Sequence, residues 1–426
     1  MDVVVVGGGI AGTVCSIYLA RRGVSVLLID RGSQIGGLAT LGLVNPFMRH
    51  WDDNGSCIKG IFLEILEELN GMGGIIHNCF DAQLLRILLY RMLQNAHVRV
   101  LLNTQVCDVR VSDEKLIHIQ TCHALGYQQK ISGDFFVDAT GDGVLSFLSG
   151  AHYHCGDPQG FNQATTTMFT MGGVAFDRVR EQIRAQPDNY FRWVNPDQPI
   201  LSVAGYFREI ERASSEGFSL PQDYLFFVQL PGVGRITVNT THYGVKTTDI
   251  WTVSEATMIT NLQAYEILRF VKHRVLGFED AYLENLAPML GIRDSRRIVG
   301  FDCFTGNDVV HNTRHPQGVL RGVYGIDVHR KKPGTTEEER ITIPKNTGYY
   351  EIPLGSMIVQ GFRNLAVIGR CFSSDFFGQS AARIMPTCAG MGEAIGTAIF
   401  LALQQSLTLP DIQGSAVRKE MGWYSE

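Results

Sequence analysis

Hydrophobic residues open the chain in one continuous run and then change to a helical spacing. The run DVVVV at 2–6 is β-branched, which is typical of a parallel strand buried on both faces. Apolar residues then recur at helical spacing between Gly12 and Arg22, and VSVLLID forms a second apolar run that ends at Asp30. This order predicts a strand–helix–strand unit at the start of the chain.

Strand and helix patterns continue to alternate along the rest of the chain. Asp81 is a good helix N-cap, and the leucines that follow it share one helical face. Strand patterns follow in VRVLLNTQVCDVRVSD, KLIHIQTC and FFVDATG, and a further buried strand, NLAVIGR, occupies 364–370. A long apolar helix comes after it, whereas residues 155–290 alternate short strands with helices. The pattern predicts one α/β layer made from both chain ends and interrupted by a central insertion.

Composition and charge narrow the class of protein. The 426 residues are enough for two domains, and 45% of them are apolar and 19% charged. A net charge of −5 and the lack of a basic stripe argue against nucleic acid as a partner. The sequence shows no secretory signal, no apolar run of 18 residues and no C-x-x-C pair among its nine cysteines. We therefore expect a cytoplasmic protein that spans no membrane and keeps its thiols free.

The glycines between the first strand and the first helix carry the strongest chemical signal. In the G-x-G-x-x-G pattern, Gly7 permits a tight turn, Gly9 lets a pyrophosphate approach the backbone, and Gly12 allows close packing of helix on strand. The helix N-terminus favours phosphates, and Asp30 can accept hydrogen bonds from ribose hydroxyls. A glycine-rich turn without a ligand is the alternative. With strand, helix, strand and acid in this order, the pattern predicts a dinucleotide site.

Two further segments favour FAD over NAD. RGSQIGGLAT follows Asp30 directly, its glycines open the backbone again, and Thr40 can reach a phosphate with its hydroxyl. VDATGDG at 137–143 brings a strand and its turn back against the dinucleotide, where glycine removes a clashing side chain. Each segment alone could be an ordinary turn, but together they favour FAD in an extended pose. A second G-x-G-x-x-G is missing from the sequence, so a separate NAD(P)H domain is not expected.

The chain resembles the FAD-dependent oxidoreductase family of glutathione-reductase-type flavoproteins. It is similar above all to the subset in which Gly-Arg and a variable loop precede R-x-M-P-T-C and a glycine-spaced helix, here GRCFSSDFFGQSAARIMPTCAGMGEAIGTA at 369–398. The resemblance implies an α/β fold with a Rossmann-like FAD-binding domain, which has a three-layer sheet and is assembled from residues 1–154 and 345–426. It also implies an inserted α+β substrate domain, residues 155–344, over the flavin ring.

The motifs and the resemblance together define a predicted set of FAD-binding residues. Most of them are glycines or small residues at the ends of predicted strands. The set comprises Gly7, Gly9, Ile10, Ala11, Gly12, Asp30, Arg31, Gly37, Leu38, Ala39, Thr40, Val106, Thr140, Gly141, Asp142, Gly369, Arg370, Met385, Pro386 and Thr387.

Candidate catalytic groups lie in three other segments. Asp327 and His329 stand two residues apart in YGIDVH and would share one face of a strand, where the carboxylate could orient a general base. A surface Asp–His pair is the alternative. Arg293 could anchor an anionic substrate group or the flavin pyrimidine, or could form an interface salt bridge with Asp294. Arg383 belongs to the family motif, and the resemblance implies a place for it near the isoalloxazine.

Histidines and cysteines raise two other possibilities. His152 and His154 in AHYHC could suggest a metal, but no second ligand cluster completes the site, so no metal is predicted. A covalent flavin link through His50, Cys371 or Cys388 stays open, although an unmodified cysteine is more often a small buried apolar residue.

The function predicted from the sequence is that of an FAD-dependent oxidoreductase that dehydrogenates a small organic molecule. Hydride would pass from a substrate carbon to flavin N5, and O2 or another acceptor would reoxidise the flavin. Two alternatives stay open, a flavin monooxygenase and a flavin-binding subunit without turnover of its own. A homo-oligomer is compatible with the sequence.

Overall fold

A computed structural model describes residues 1–331, 338–339 and 348–424 of the chain. Within these residues the α-helices are α1 (Ile10–Arg21), α2 (Ile61–Gly71), α3 (Ala82–Asn95), α4 (Val144–Leu148), α5 (Phe176–Ala185), α6 (Phe207–Ser215), α7 (Ile250–Arg274), α8 (Gly306–His311), α9 (Phe376–Ala382), α10 (Met385–Gln405) and α11 (Gly414–Met421). The strands are β1 (Val3–Val6), β2 (Val26–Ile29), β3 (Trp51–Asp52), β4 (Gly55–Ser56), β5 (Ile75–Ile76), β6 (Cys79–Phe80), β7 (Arg99–Leu101), β8 (Thr104–Ser112), β9 (Lys115–His123), β10 (Gln128–Ser132), β11 (Phe135–Asp138), β12 (Tyr153–Cys155), β13 (Phe169–Gly172), β14 (Ser202–Gly205), β15 (Leu225–Gln229), β16 (Ile236–Val238), β17 (Tyr282–Leu286), β18 (Arg296–Ile298), β19 (Gly318–Gly322), β20 (Arg330–Lys331), β21 (Glu338–Glu339), β22 (Tyr350–Pro353) and β23 (Leu365–Val367).

A five-stranded parallel sheet joins the two ends of the chain. Its strand order is β23-β11-β1-β2-β7, and every neighbouring pair runs parallel. The C-terminal strand β23 enters through β11, with Phe136 opposite Leu365. The four valines of β1 are fully buried or nearly so, as a central parallel strand requires. The predicted α/β layer made from both chain ends is therefore present.

The parallel sheet is the middle of three layers. Because side chains alternate along a strand, Val3 and Val5 pack into one core with α1 and α10, whereas Val4 and Val6 pack into another. That second core includes Val106 from the antiparallel sheet β10-β9-β8. The Rossmann-like α/β fold with three layers, predicted from the sequence, is confirmed.

Helices α1 and α10 cross at very short range because α10 carries glycines at the crossing. A Cβ placed on Gly392 would lie 2.3 Å from the Ala11 carbonyl oxygen, and one on Gly396 would lie 2.8 Å from the Tyr18 ring. By length and composition, α10 could cross a membrane, but 89% of its most apolar window is buried within the protein. Its apolar character therefore matches that of a core helix.

A second, antiparallel sheet with the order β14-β15-β16-β13-β17 lies within residues 169–286. Helices α5, α6 and α7 cover it, with Val179, Ile210 and Ile267 in a core shared with Phe227. The sheet and its helices form an α+β unit inside the segment expected to hold the substrate domain. The division at 154/155 stays a prediction, and the predicted boundary at 344/345 lies outside the described residues.

One arginine links the start of α3 to the antiparallel sheet. Asp81 caps this helix by accepting hydrogen bonds from the amides of Gln83 and Leu84, as its position in the sequence predicted. The second carboxylate oxygen of Asp81 lies 2.7 Å from the guanidinium of Arg235, which also pairs with Glu284 at 2.8 Å. Burial alone would raise the pKa of Asp81, but Arg235 and the two amides outweigh that effect and lower the pKa.

Candidate functional site

The turn between β1 and α1 uses its glycines for two different purposes. At Gly7, φ is 113° and a Cβ would lie 2.3 Å from the Ala139 carbonyl oxygen, while a Cβ on Gly12 would lie 2.0 Å from the Gly7 oxygen. These two positions exclude a side chain because the backbone is packed there. A Cβ on Gly9 would meet nothing within 4 Å, and Gly9 is the N-cap of α1 without a side-chain cap. The space at Gly9 therefore lies directly over a helix N-terminus, where an anion is favoured.

Asp30 holds this turn against the next loop. Its two carboxylate oxygens accept hydrogen bonds from the Gly8 and Gly32 amides, both at 2.6 Å. Each oxygen retains a lone pair for a second donor, and Asp30 lines the cleft beside the turn. A ribose hydroxyl could therefore still be bound here, as the sequence predicted.

The cleft that begins at Gly9 brings most of the predicted FAD-binding residues together. The predicted residues that line it are Gly7, Gly9, Ile10, Ala11, Asp30, Arg31, Gly37, Leu38, Ala39, Val106, Thr140, Gly141, Asp142, Gly369, Arg370 and Met385. Arg383, which we had expected near the flavin, also lines it. Cys388, one of the residues considered for a covalent flavin link, lines the cleft as well. The other lining residues are not predicted from the sequence: Val6, Ile29, Gly36, Thr104, Gln105, Ala139, Val144 and Met289. Most of these flank a predicted residue, whereas Met289 comes from a distant loop that carries no motif.

Four predicted residues lie behind the walls of the cleft. Gly12 is packed under Gly7, and Thr40 donates its hydroxyl to the Ile35 carbonyl at 2.5 Å, which stabilises the loop. Pro386 and Thr387 are buried in the first turn of α10. All four residues pack behind the residues that line the cleft and do not line it themselves.

Charged side chains complete the cleft on the β11 side. Asp142 lies 2.7 Å from the Arg370 guanidinium and 3.9 Å from that of Arg31, and it accepts a hydrogen bond from Ser295. Burial alone would raise the pKa of Asp142, but the two arginines outweigh it and lower the pKa. Among the described residues, the buried Nε atoms of Arg370 and Arg383 have no hydrogen-bond partner. Buried donors are nearly always paired, so both atoms suggest acceptors on a ligand.

The thiols of the cleft region do not favour nucleophilic chemistry. Cys388 lines the cleft, and burial raises the pKa of its thiol to about 12. Cys371 and His50 are not among the lining residues. Burial raises the pKa of Cys371 well above its usual value and lowers that of His50 to about 4. A covalent flavin link was left open by the sequence, and these environments argue against it.

A second group of side chains meets the cleft at Arg383, and we call it the Asp327 cluster: Tyr324, Asp327, His329 and Arg383. The Asp327 carboxylate lies 3.2 Å from His329 Nε2 and 3.6 Å from the Arg383 guanidinium, and it accepts a hydrogen bond from the Tyr324 hydroxyl. Arg383 also donates to the Asp327 backbone carbonyl at 3.0 Å. The predicted Asp327–His329 pair therefore exists, and an arginine of the cleft wall holds it in place.

The charges around Asp327 decide its protonation state. Burial alone would raise the pKa of Asp327, but the neighbouring His329, Arg383 and Arg293 outweigh it and hold the pKa well below its usual range. The carboxylate is therefore ionised at neutral pH. An ionised carboxylate this close to an imidazole nitrogen fixes the orientation of the ring.

A buried amide that the sequence did not single out contacts both the histidine and the arginine of the cluster. Gln163 Oε1 accepts hydrogen bonds from the His329 amide at 3.1 Å and from Arg383 at 3.3 Å. Arg293 donates to the Ala164 carbonyl and, at 3.3 Å, to Asn239.

The alternative role considered for Arg293 was a salt bridge with Asp294. Asp294 instead accepts hydrogen bonds from Asn162 and from the Gln163 amide, and its ion pair is with Arg297 at 3.9 Å. Over the part of the chain that the structure describes, no group of three or more His, Cys, Asp or Glu side chains could hold a metal ion.

The geometry passes a simple test of fit for FAD. A glycine turn leaves open space over the N-terminus of α1, a carboxylate follows β2, and two arginines with unpaired buried donors line the same cleft. A comparison with protein families agrees with this geometry, since the model of the family described as FAD dependent oxidoreductase matches residues 2–421. The chain belongs to this family. FAD is the cofactor of this FAD-dependent oxidoreductase, whereas its membership of the glutathione-reductase-type subset stays a prediction.

Solved structures with similar folds are distant in sequence. A geranylgeranyl bacteriochlorophyll reductase-like protein from Thermoplasma acidophilum is 12% identical, with a TM-score of 0.49 over 98% of this chain and 81% of that one. The flavin-dependent brominase Bmp2 is 13% identical, with a TM-score of 0.47 over 98% and 81%. The p-nitrophenol 4-monooxygenase PnpA from Pseudomonas putida DLL-E4 is 12% identical, with a TM-score of 0.45 over 100% and 89%. Because these structures are so distant, their reactions are not attributed to this chain. A comparison with curated proteins found no match.

Proposed function

We propose that this FAD-dependent oxidoreductase dehydrogenates a small organic substrate. The observation that carries the proposal is the Asp327 cluster, which joins an ionised carboxylate and an imidazole to Arg383 in the wall of the cleft. When bound, FAD supplies the hydride acceptor at N5, and O2 or another acceptor then takes its electrons. A dehydrogenation also releases a proton, so the site needs a base that can take it up.

His329 is the residue that we assign as this base. Its imidazole lies 3.2 Å from Asp327, which stabilises the positive charge that forms when the ring accepts the substrate proton. Asp327 is a positioning residue, because it acts through the ring of His329. Tyr324, Arg383 and Gln163 fix the two partners from three different segments.

Arg383 and Arg293 give this part of the site its positive charge. Arg383 has an exposed side-chain fraction of only 13%, and its buried Nε suggests an acceptor on the flavin or the substrate. Arg293 is buried and lies near enough to lower the pKa of Asp327. We propose that both orient an electron-rich group of the substrate, and that the lining residues of the cleft hold FAD.

The test is anaerobic reduction of the bound flavin by a panel of alcohols, amines and hydroxy acids. We expect at least one class to bleach the flavin absorbance near 450 nm. For that substrate, His329→Gln should slow the reduction about 10²- to 10⁴-fold while flavin content stays unchanged, since general-base catalysis contributes that much. The exposed His152, changed to Gln, is the matched control and should keep the native rate.

Three outcomes would contradict the proposal. Rapid NADPH oxidation, with oxygen from O2 found in the product, would indicate a flavin monooxygenase. A bound flavin that no substrate reduces without a partner chain would indicate a flavin-binding subunit. An unchanged reduction rate in His329→Gln would remove the role of the Asp327 cluster even if dehydrogenation itself were found.

A further inference from the structure

His242 is a buried histidine whose ring contacts the ring of His329. Only 2% of its surface is exposed, and the centroids of the two imidazoles lie 5.5 Å apart with their planes at 45°. Planar rings at this separation are in direct contact. His242 lies in the loop between β16 and α7, far from His329 along the chain, and no motif marks it. The base assigned above is therefore packed against a second imidazole.

The backbone near each of these histidines is bonded to the same short stretch of chain. The Ala164 amide donates a hydrogen bond to the His329 carbonyl at 2.7 Å. The next residue, Thr165, exchanges two backbone hydrogen bonds with Tyr243, which directly follows His242, at 2.9 and 3.1 Å. One extended segment therefore sets the distance between the two rings.

Two side chains hold the backbone at His242 still more firmly. Gln263, on α7, accepts a hydrogen bond from the His242 amide and donates one to its carbonyl, both at 3.0 Å. The hydroxyl of Thr241 accepts from the Thr167 amide and donates to the Thr167 carbonyl, both at 2.8 Å. A side chain supported in this way has a fixed position, which is what the support of a catalytic group requires.

The hydrogen bonds of Gln222 fix where the proton of the His242 ring lies. The side-chain nitrogen of Gln222 lies 3.3 Å from the Thr240 carbonyl oxygen, which can only accept, so the amide NH2 group faces this carbonyl. The same nitrogen donates to Nδ1 of His242. Nδ1 is therefore an acceptor, and the neutral ring carries its proton on Nε2. A proton on Nδ1 would set two donors against each other, so this environment favours the neutral ring.

We propose that His242 is a positioning residue for the base His329, an inference that rests on the proposed function. Asp327 contacts His329 at one ring nitrogen, at 3.2 Å, and a contact at one atom does not fix the plane of a ring. The ring of His242 supplies a second contact, which fixes that plane. Because His242 is neutral, it does so without opposing the positive charge that forms when His329 accepts the substrate proton.

The first test separates the ring of His242 from its hydrogen bond in the FAD-loaded protein. His242→Asn keeps an acceptor for Gln222 but removes the outer part of the ring, whereas His242→Phe keeps a ring and loses the acceptor. At saturating substrate, His242→Asn should slow flavin reduction about 10- to 100-fold with little change in substrate affinity, because a slightly misplaced catalytic group costs that much. His242→Phe should recover most of that loss. His273→Asn, at an exposed histidine, is the matched control and should keep the native rate.

The second test needs no substrate, because NMR of isotope-labelled histidine observes both rings in the FAD-loaded protein. The signals of His242 and His329 are assigned by their loss in His242→Asn and His329→Gln. Near neutral pH, the His242 ring should show its proton on Nε2. The ring signals of His329 should broaden in His242→Asn, where the ring can change its orientation, and stay sharp in His242→Phe. Melting temperature and flavin content show that each variant is folded.

A native rate of flavin reduction in His242→Asn would overturn the proposal. So would a loss in His242→Phe as large as that in His242→Asn, because the hydrogen bond to Gln222 would then matter as much as the ring. A proton on Nδ1 of His242 would contradict the assigned hydrogen bonds and the neutral ring that depends on them. If no substrate reduces the flavin, the proposed function fails by itself. In that case the NMR signals still decide, since sharp His329 signals in His242→Asn would show that His242 does not hold the ring.

Discussion

The cleft and the Asp327 cluster belong to one site but are built from different parts of the chain. In the cleft, the decisive groups are backbone atoms, because Gly7, Gly9 and Gly12 remove side chains from a turn beneath a helix N-terminus. In the cluster, the decisive groups are side chains, because the Asp327 carboxylate is held by the imidazole of His329 and the guanidinium of Arg383. The glycine turn suits a phosphate that must approach backbone amides closely. The cluster suits the transfer of a proton from a substrate to a side chain.

The two regions should therefore respond to different kinds of substitution. A single methyl group at Gly7 or Gly12 would meet backbone atoms that cannot move aside, at 2.3 and 2.0 Å. The cluster has more room, since 38% of the Asp327 side chain is exposed, but it depends on a balance of charge. We therefore expect FAD binding in the cleft to depend on the space left by the backbone, and the stability of the cluster to depend on the charges of its side chains.

The largest effect is expected from a methyl group in the open space of the cleft. Gly9→Ala places a Cβ where nothing lies within 4 Å, and its φ of −69° suits alanine. The flavin-free protein should keep its melting temperature, whereas FAD should bind roughly 100-fold more weakly or worse, because the methyl group occupies the approach to the helix N-terminus. Titration of the flavin-free protein with FAD, followed by flavin fluorescence, measures the dissociation constant.

Gly71→Ala is the control for this substitution. Gly71 ends α2, and a Cβ there also meets nothing within 4 Å. Its FAD affinity should stay native. If Gly9→Ala binds FAD as tightly as the control, the open space at Gly9 is not a phosphate site and backbone shape does not control the cleft.

A smaller effect is expected where α10 crosses α1. Gly392→Ala would place a Cβ 2.3 Å from the Ala11 carbonyl oxygen and 3.0 Å from the Cys15 amide, so the helices must separate. Overpacking of this kind costs about 1–3 kcal/mol, and Ala11 also lines the cleft. We expect a lower urea midpoint for the flavin-free protein and less flavin in the purified one. A variant with native stability and native flavin content would show that the crossing tolerates a methyl group.

Much of the cleft was predictable because its chemistry is local in sequence. The glycine turn, Asp30 and the segment around Gly141 each come directly after a strand pattern. Such short signals can be recognised in the sequence without knowledge of the fold. The roles of individual residues were less predictable. Thr40 was assigned to a phosphate, yet its hydroxyl is bonded to the Ile35 carbonyl. The sequence shows that a hydroxyl is present, but only the folded loop shows which acceptor lies nearer.

The cluster was predictable only where its members are adjacent in sequence. Asp327 and His329 stand two residues apart, so a strand-like spacing suggested the pair. Gln163 comes from another segment and carries no motif, although it contacts both His329 and Arg383. The partner of Asp294 was also not predictable, because spacing along the chain does not show that Arg297, and not Arg293, lies near its carboxylate. Long-range side-chain contacts need the fold.

The smallest effect tests whether charge controls the cluster, and it requires a pH series. The pKa of Asp327 is lowered in the folded protein, so its contribution to stability is present above the unfolded pKa of about 3.9 and is lost as pH falls below that value. Asp327→Asn removes the titration. In the flavin-free protein, the variant should melt a few degrees lower at pH 6–7, and this difference should shrink as the pH falls below about 4. Asp223→Asn, at an exposed position, is the control and should follow the native curve throughout. A difference between native and Asp327→Asn that stays constant down to acid pH would mean that the cluster is held by packing and not by the charge on Asp327.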